Sequence, residues 1–154
     1  MSGDRDLSQA RIKPGYMLTP EDVSEPRMST QDWADFEEGI RLFNKGEYWE
    51  SHEAWEFVWK RCEEPPRVFF QALIQLAAAY HQLNRNIYHG VVKHFRNAET
   101  KLRPFPDGFL GVELTPIKQA LSAGEAEVVR LGKDNLGDFE PDLICQIRYT
   151  RVFE

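Results

Sequence analysis

The sequence predicts an all-α protein: a compact antiparallel bundle of about five helices, with an extended N-terminal arm and an irregular C-terminal tail. Three observations carry that expectation. Apolar residues recur at helical spacing from Trp33 to Leu102, in four segments. Each segment is closed by Gly, Asn or Pro at a position where a helix ends. The third segment is apolar almost all round, as the central helix of a bundle should be.

Residues 1–28 carry Pro14, Pro20 and Pro26 among charges and scattered apolar residues, so they read as an extended or disordered arm with little to bury. The bundle domain is expected over residues 29–131. Ser29 or Thr30 caps a first helix whose stripe is Trp33, Phe36, Ile40 and Phe43, and Gly46 is suited to a left-handed cap at its end. A second helix runs from about Glu47 to Arg61 and stops before Pro65-Pro66. The third, about Arg67 to Leu83, has Gln71, Gln75 and Gln82 on one narrow polar stripe, with His81 beside it. The Asn84-Arg85-Asn86 turn leads to a fourth helix, Tyr88 to Leu102, ended by Pro104 and Pro106. Thr115-Pro116 starts a fifth, expected through about Ala123, with Pro at its first position. Glu125 to Leu131 reads equally as helix or edge segment. Residues 132–154 form a C-terminal extension in which the Ile144–Tyr149 alternation fits either a strand or an extended tail. No repeat of solenoid period is visible; the Gly-x-Tyr cue of a tetratricopeptide unit occurs at Gly46-Glu47-Tyr48.

Composition narrows the class. The chain has 154 residues, 42% of them hydrophobic, which is one domain with a real core. A formal charge of −6 argues against a general nucleic-acid footprint. Cys62 and Cys145 read as reduced thiols, and the N-terminal Met-Ser-Gly-Asp-Arg-Asp has no apolar region of signal-peptide type. No run approaches the ~18 apolar residues of a membrane span. The expectation is a cytoplasmic protein without a membrane segment.

The chemistry concentrates in residues 47–59, Glu-Tyr-Trp-Glu-Ser-His-Glu-Ala-Trp-Glu-Phe-Val-Trp. At about 100° per residue, Trp49, His52, Glu56 and Trp59 share an arc roughly 80° wide, bordered by Tyr48 and Trp55. An imidazole and a carboxylate one turn apart thus sit within an aromatic face, where an unpartnered charge is costly. Glu50 and Glu53 lie beside the arc. A short Pro-Pro turn makes the second and third helices antiparallel neighbours, which predicts that His52, Glu56, Gln75 and His81 converge in one partly buried cluster.

The stretch Phe43-Asn44-x-Gly46-Glu47-Tyr48-x-Glu50-x-His52-Glu53-x-x-Glu56-x-x-Trp59, followed by Phe70-Gln71-Ala72-Leu73-Ile74-Gln75-Leu76-Ala77-Ala78 and His81, resembles the family called domain of unknown function 309. The resemblance covers roughly residues 36–115. It implies a small all-α bundle and no established activity.

Two functional readings follow, from different classes. In the first, His52, Glu53, Glu56, Gln71, Gln75 and His81 line an aromatic-rimmed pocket that binds a small molecule or a protein segment, the glutamine amides offering both donor and acceptor. That reading needs no cofactor. In the alternative, His52, Glu56 and His81 hold a divalent metal and Glu53 is the base of a metal-assisted hydrolase, by analogy with His-Glu-x-x-His sites. Both stand against a purely structural account, in which the same groups form a buried network that fixes helix register. Lys93, Arg96, Lys101 and Arg103 read as a solvated basic face of the fourth helix, and His89 and His94 go with it. Cys62 lies beside Arg61, which would lower its pKa modestly, but it reads as an inert thiol.

Overall fold

The computed structural model describes residues 18–151. Five helices, α1 (Thr30–Asn44), α2 (Tyr48–Arg61), α3 (Val68–Asn84), α4 (Tyr88–Leu102) and α5 (Leu114–Leu131), pack chiefly as consecutive antiparallel neighbours. The all-α expectation holds, and the only paired strands among the described residues, β1 (Gly108–Phe109) and β2 (Val112–Glu113), form a small hairpin.

Ser29 is the cap of α1: its Oγ accepts from Asp32 N at 3.0 Å, and the Asp32 carboxylate accepts from Ser29 N at 3.0 Å. Both α-hairpins then turn by the same device. At Gly46 (φ +83°), Gly46 N donates to Phe43 O and Glu47 N to Leu42 O. At Asn86 (φ +61°), Asn86 N donates to Leu83 O and Ile87 N to Gln82 O. These are two Schellman caps, each three residues or fewer before a tyrosine that starts the next helix. The helix–turn–helix unit therefore occurs twice among the described residues. Asn stands at the second turn where Gly stands at the first, and both residues tolerate a left-handed backbone.

Helix α3 is central, as predicted. Phe69, Phe70, Leu73, Leu76 and Tyr80 are buried, and their rings meet Phe36 and Phe43 of α1 and Phe95 of α4. Helices α1 and α2 approach closely at Gly39. A Cβ there would lie 2.2 Å from Trp55 Nε1, which instead donates to Phe36 O at 3.1 Å, while Ser51 Oγ donates to Gly39 O at 2.8 Å. Buried Trp55 and Ser51 thus mark the inner face of α2.

Helix α5 is longer than expected. It begins at Leu114, so Pro116 is its third residue rather than its first, and it continues through Glu125–Leu131. Pro116 still lies in the first turn, where its missing N–H breaks no intrahelical bond. The tail makes two short 3-10 turns, Leu136–Asp138 and Pro141–Leu143, and then runs extended and is held down: Asn44 donates to Ile147 O at 2.9 Å and accepts from Ile147 N at 2.7 Å, and Tyr149 bridges to Val112 beside the hairpin. Most of the arm expectation, residues 1–17, lies outside the described residues. Residues 18–28 form a turn and an extended strap. Arg27 N donates to Glu64 at 3.0 Å, Leu110 N donates to Glu25 at 2.7 Å, and Asp22 and Pro26 are buried.

Candidate functional site

Rotation of α2 decides what the predicted arc becomes. Its inner face is centred on Ser51, Trp55 and Val58, so the arc of Trp49, His52, Glu56 and Trp59 is the flank where the helix meets solvent. Trp59 is buried, the side chains of His52 and Glu56 are 16% and 30% exposed, and Trp49 is 47% exposed. The antiparallel pairing of α2 and α3 brings His81 to the same flank. The Trp49 ring lies 4.8 Å from the His52 ring and 5.2 Å from the His81 ring, centroid to centroid. His52 Nε2 is 3.5 Å from Glu56 Oε1. His52, Glu56 and His81 are therefore brought together, as predicted, with Trp49 as the shared contact of both imidazoles.

Burial holds the His81 imidazole below its ordinary pKa, Arg85 and His52 reinforce that direction, and the nearby Glu50 carboxylate opposes it. The second His52 nitrogen, Nδ1, is buried without a hydrogen-bond partner. Glu50 and Glu53 are exposed.

Gln75 does not join this cluster, which corrects the predicted convergence. It lies six residues before His81, about 120° away around α3. It is buried at 1% exposure and its Oε1 accepts from Lys101 Nζ on α4 at 2.8 Å. Gln71, one turn earlier on the same stripe, is also buried. The two glutamines belong to the α3–α4 interior and not to a pocket shared with His52.

Lys101 is the buried polar group that sequence reading missed. Placed with a solvated basic face, it is 1% exposed. Its three companions do lie outside: Lys93 is exposed, and exposed Arg96 and Arg103 pair with Glu125 and Glu99. One signal was available. Lys101 sits one turn from Ala98, at the edge of the Val91–Phe95–Ala98–Leu102 stripe, opposite a helix carrying an otherwise unexplained glutamine. The inert-thiol reading of Cys62 agrees with its surroundings, and the lowered pKa is the alternative that falls. Burial raises its thiol pKa, and Arg61 is taken up by Asp32 and Asp35, each at 2.7 Å.

The metal alternative was tested on the donor set. Among the described residues, no group of three or more His, Cys, Asp or Glu side chains is arranged to hold a metal ion. His52, Glu56 and His81 share a flank without forming such a group, and Glu53 is exposed.

Fold and site together define a small helical-hairpin protein with an aromatic–imidazole shelf on its second and third helices. Residues 36–94 match the family described as domain of unknown function (DUF309), in agreement with the resemblance read from the sequence. The match runs from α1 to the middle of α4. It contains the whole Trp49–His52–Glu56–His81 shelf, stops before Lys101, and is shorter than the span first read. No curated protein matches the chain. No helix among the described residues is long and apolar enough to cross a membrane.

Proposed function

We propose that this protein is a binding module whose shelf of Trp49, His52, Glu56 and His81 recognises a segment of a partner protein, with small molecules as the competing class of ligand. One observation carries the reading: a tryptophan left 47% exposed while its ring is held between two partly buried imidazoles. Tryptophan is the residue type most enriched among binding hot spots, and a ring already fixed by its neighbours loses little entropy on docking. The openness of the shelf favours a segment over a small molecule, which needs a concave site for most of its surface. Glu50 and Glu56 beside the ring favour a segment carrying Lys or Arg, whose cation can lie over the indole face.

A random peptide array probed with the wild-type protein and with Trp49→Ala tests this. The expected outcome is a set of bound peptides enriched in Lys or Arg, lost with Trp49→Ala and retained with Phe57→Ala. Phe57, at 57% exposure, is a still more exposed aromatic of α2 and serves as the control. An array with no bound peptides, or one indifferent to Trp49, contradicts the reading.

A further inference from the structure

The extended tail lies on a face that the shelf does not use. Beyond Ile144 its residues alternate: Cys145, Ile147, Tyr149 and Arg151 are covered, whereas Gln146, Arg148 and Thr150 are exposed. Each covered residue has its own receiver on the first helix of a hairpin. Cys145 meets Tyr80 of α3, whose Oη accepts from Cys145 N at 3.2 Å. Ile147 meets Asn44 of α1, whose carboxamide accepts from Ile147 N at 2.7 Å and donates to Ile147 O at 2.9 Å. The Tyr149 ring stands edge-on to Phe36 with centroids 6.2 Å apart, and its Oη donates to Glu37. Arg151 holds its guanidinium carbon 4.2 Å over the Trp33 ring, with Glu37 at 3.7 Å. The tail thus runs antiparallel to α1, from its last residue to its first turn.

The other edge of the tail pairs with the hairpin. Glu113 N donates to Arg148 O at 3.0 Å, and Thr150 N donates to Gly111 O at 2.8 Å. Gly111 has φ +82°, and a Cβ there would lie 2.4 Å from Thr150 O, so glycine is what lets the two backbones come this close.

Foreign extended segments are read in the same way: alternate residues enter separate receivers, and main-chain groups are matched by a strand edge. Here the Asn44 amide, donor and acceptor at once, adds a second match. Little of the tail belongs to the core. Of residues 144–151 only Ile147 is buried, while Phe36 and Phe43 beneath it keep ring contacts with Phe69, Phe70, Trp55 and Tyr80. Leu136 and Phe139 are buried upstream and hold the start of the tail in place. A segment with so little burial stands at the low-stability end of a fold and opens before the rest.

We propose that this face of α1, α3 and the hairpin is a docking groove for an extended segment of a partner protein, with residues 144–151 as its resident, exchangeable occupant. The partner segment carries the pattern of the tail, with an aliphatic residue, an aromatic and an arginine at every second position. The groove shares no residue with the shelf. A tether holds the tail at an effective concentration of about millimolar, so a partner has to displace it. Weakening the tail and leaving the groove intact should therefore improve binding.

The probe is a fluorescein-labelled peptide of residues 143–151 carrying Cys145→Ser, added to the full-length protein and followed by polarisation. Ile147→Ser in the protein loosens the resident tail, leaves every receiver in place, and is expected to tighten peptide binding at least tenfold. Asn44→Ala added to that variant should weaken binding at least tenfold, and a scrambled peptide should not bind. Trp49→Ala should leave binding of this peptide unchanged, so failure here and failure of the shelf reading are told apart. In the wild type, native-state amide exchange should show Ile147 and Thr150 opening without global unfolding, while Leu76 of α3 exchanges only through it. No peptide binding to the Ile147→Ser variant, binding no tighter than to the wild type, a scrambled peptide that binds equally, or Ile147 and Thr150 amides protected as strongly as Leu76 overturns the proposal. If Ile147→Ser fails to fold, the amide exchange of the wild type decides alone.

Discussion

Two polar clusters flank α3, and they differ in every respect that decides a role. On one side, Trp49, His52, Glu56 and His81 form an open shelf whose one imidazole–carboxylate contact is 3.5 Å long and partly solvated. On the other, Gln75 and Lys101 meet at 2.8 Å in the interior, both at 1% exposure. The shelf is rich in residues that catch the eye in a sequence, and the fold leaves it on the flank. The interior pair consists of a glutamine and a lysine, ordinary surface residues, and the fold encloses it. Residue type thus says little about burial when the partner helix is unknown. The stabilising polar contact is the inconspicuous one.

That contrast sets an order of effects. Lys101→Ala should cost most, about 3–5 kcal/mol in urea unfolding, since it removes a buried charge from the partners that hold it and opens a gap. A loss below about 1 kcal/mol would place Lys101 in solvent and dissolve the comparison. Gln75→Leu follows, at about 1–3 kcal/mol, because the ammonium loses its 2.8 Å acceptor while the side-chain volume is roughly kept. On the shelf, Glu56→Gln should cost under about 1 kcal/mol, the range of partly exposed ion pairs. A larger value would restore the buried-network account of His52 and Glu56.

The smallest effect is one of pH. The folded-state pKa of His81 is depressed, so between that value and its unfolded value near 6.5 the unfolded chain binds more protons. The stability contribution is therefore complete above about pH 6.5 and is lost as pH falls through that region. The slope should shrink in His81→Gln. An unchanged slope assigns the dependence to another group.

The sequence made most of the fold legible and less of the site. Helices α1 to α4 were readable to within a residue or two because stripe and cap agree in each. The boundary of α4 at Tyr88 and Leu102 coincides with its apolar period and its following Pro104. The hairpin at Phe109–Val112 was not readable: two residues per strand carry no period, and the turn is Leu110-Gly111, with Leu110 at an unusual positive φ. The tail was undecidable because its order comes from distant side chains. Asn44 clamps Ile147, and Tyr80 Oη accepts from Cys145 N at 3.2 Å. Burial beside that tyrosine pushes the Cys145 thiol up to about 11. At the shelf, the His52–His81 meeting followed from helix adjacency. The exclusion of Gln75 depended on the rotation of α3, which only the packing of α4 against it sets.

The account rests on the claim that the shelf is a surface built to be covered by a partner rather than a piece of the core. The most direct measurement is urea unfolding of the triple variant Trp49→Ala/His52→Ala/His81→Ala beside Lys101→Ala. The account predicts that removing all three shelf rings destabilises the protein less than removing the single lysine, and leaves a folded protein that no longer binds the array-selected peptides. A triple variant that unfolds, or that loses more stability than Lys101→Ala, would make the shelf a structural element and contradict the claim.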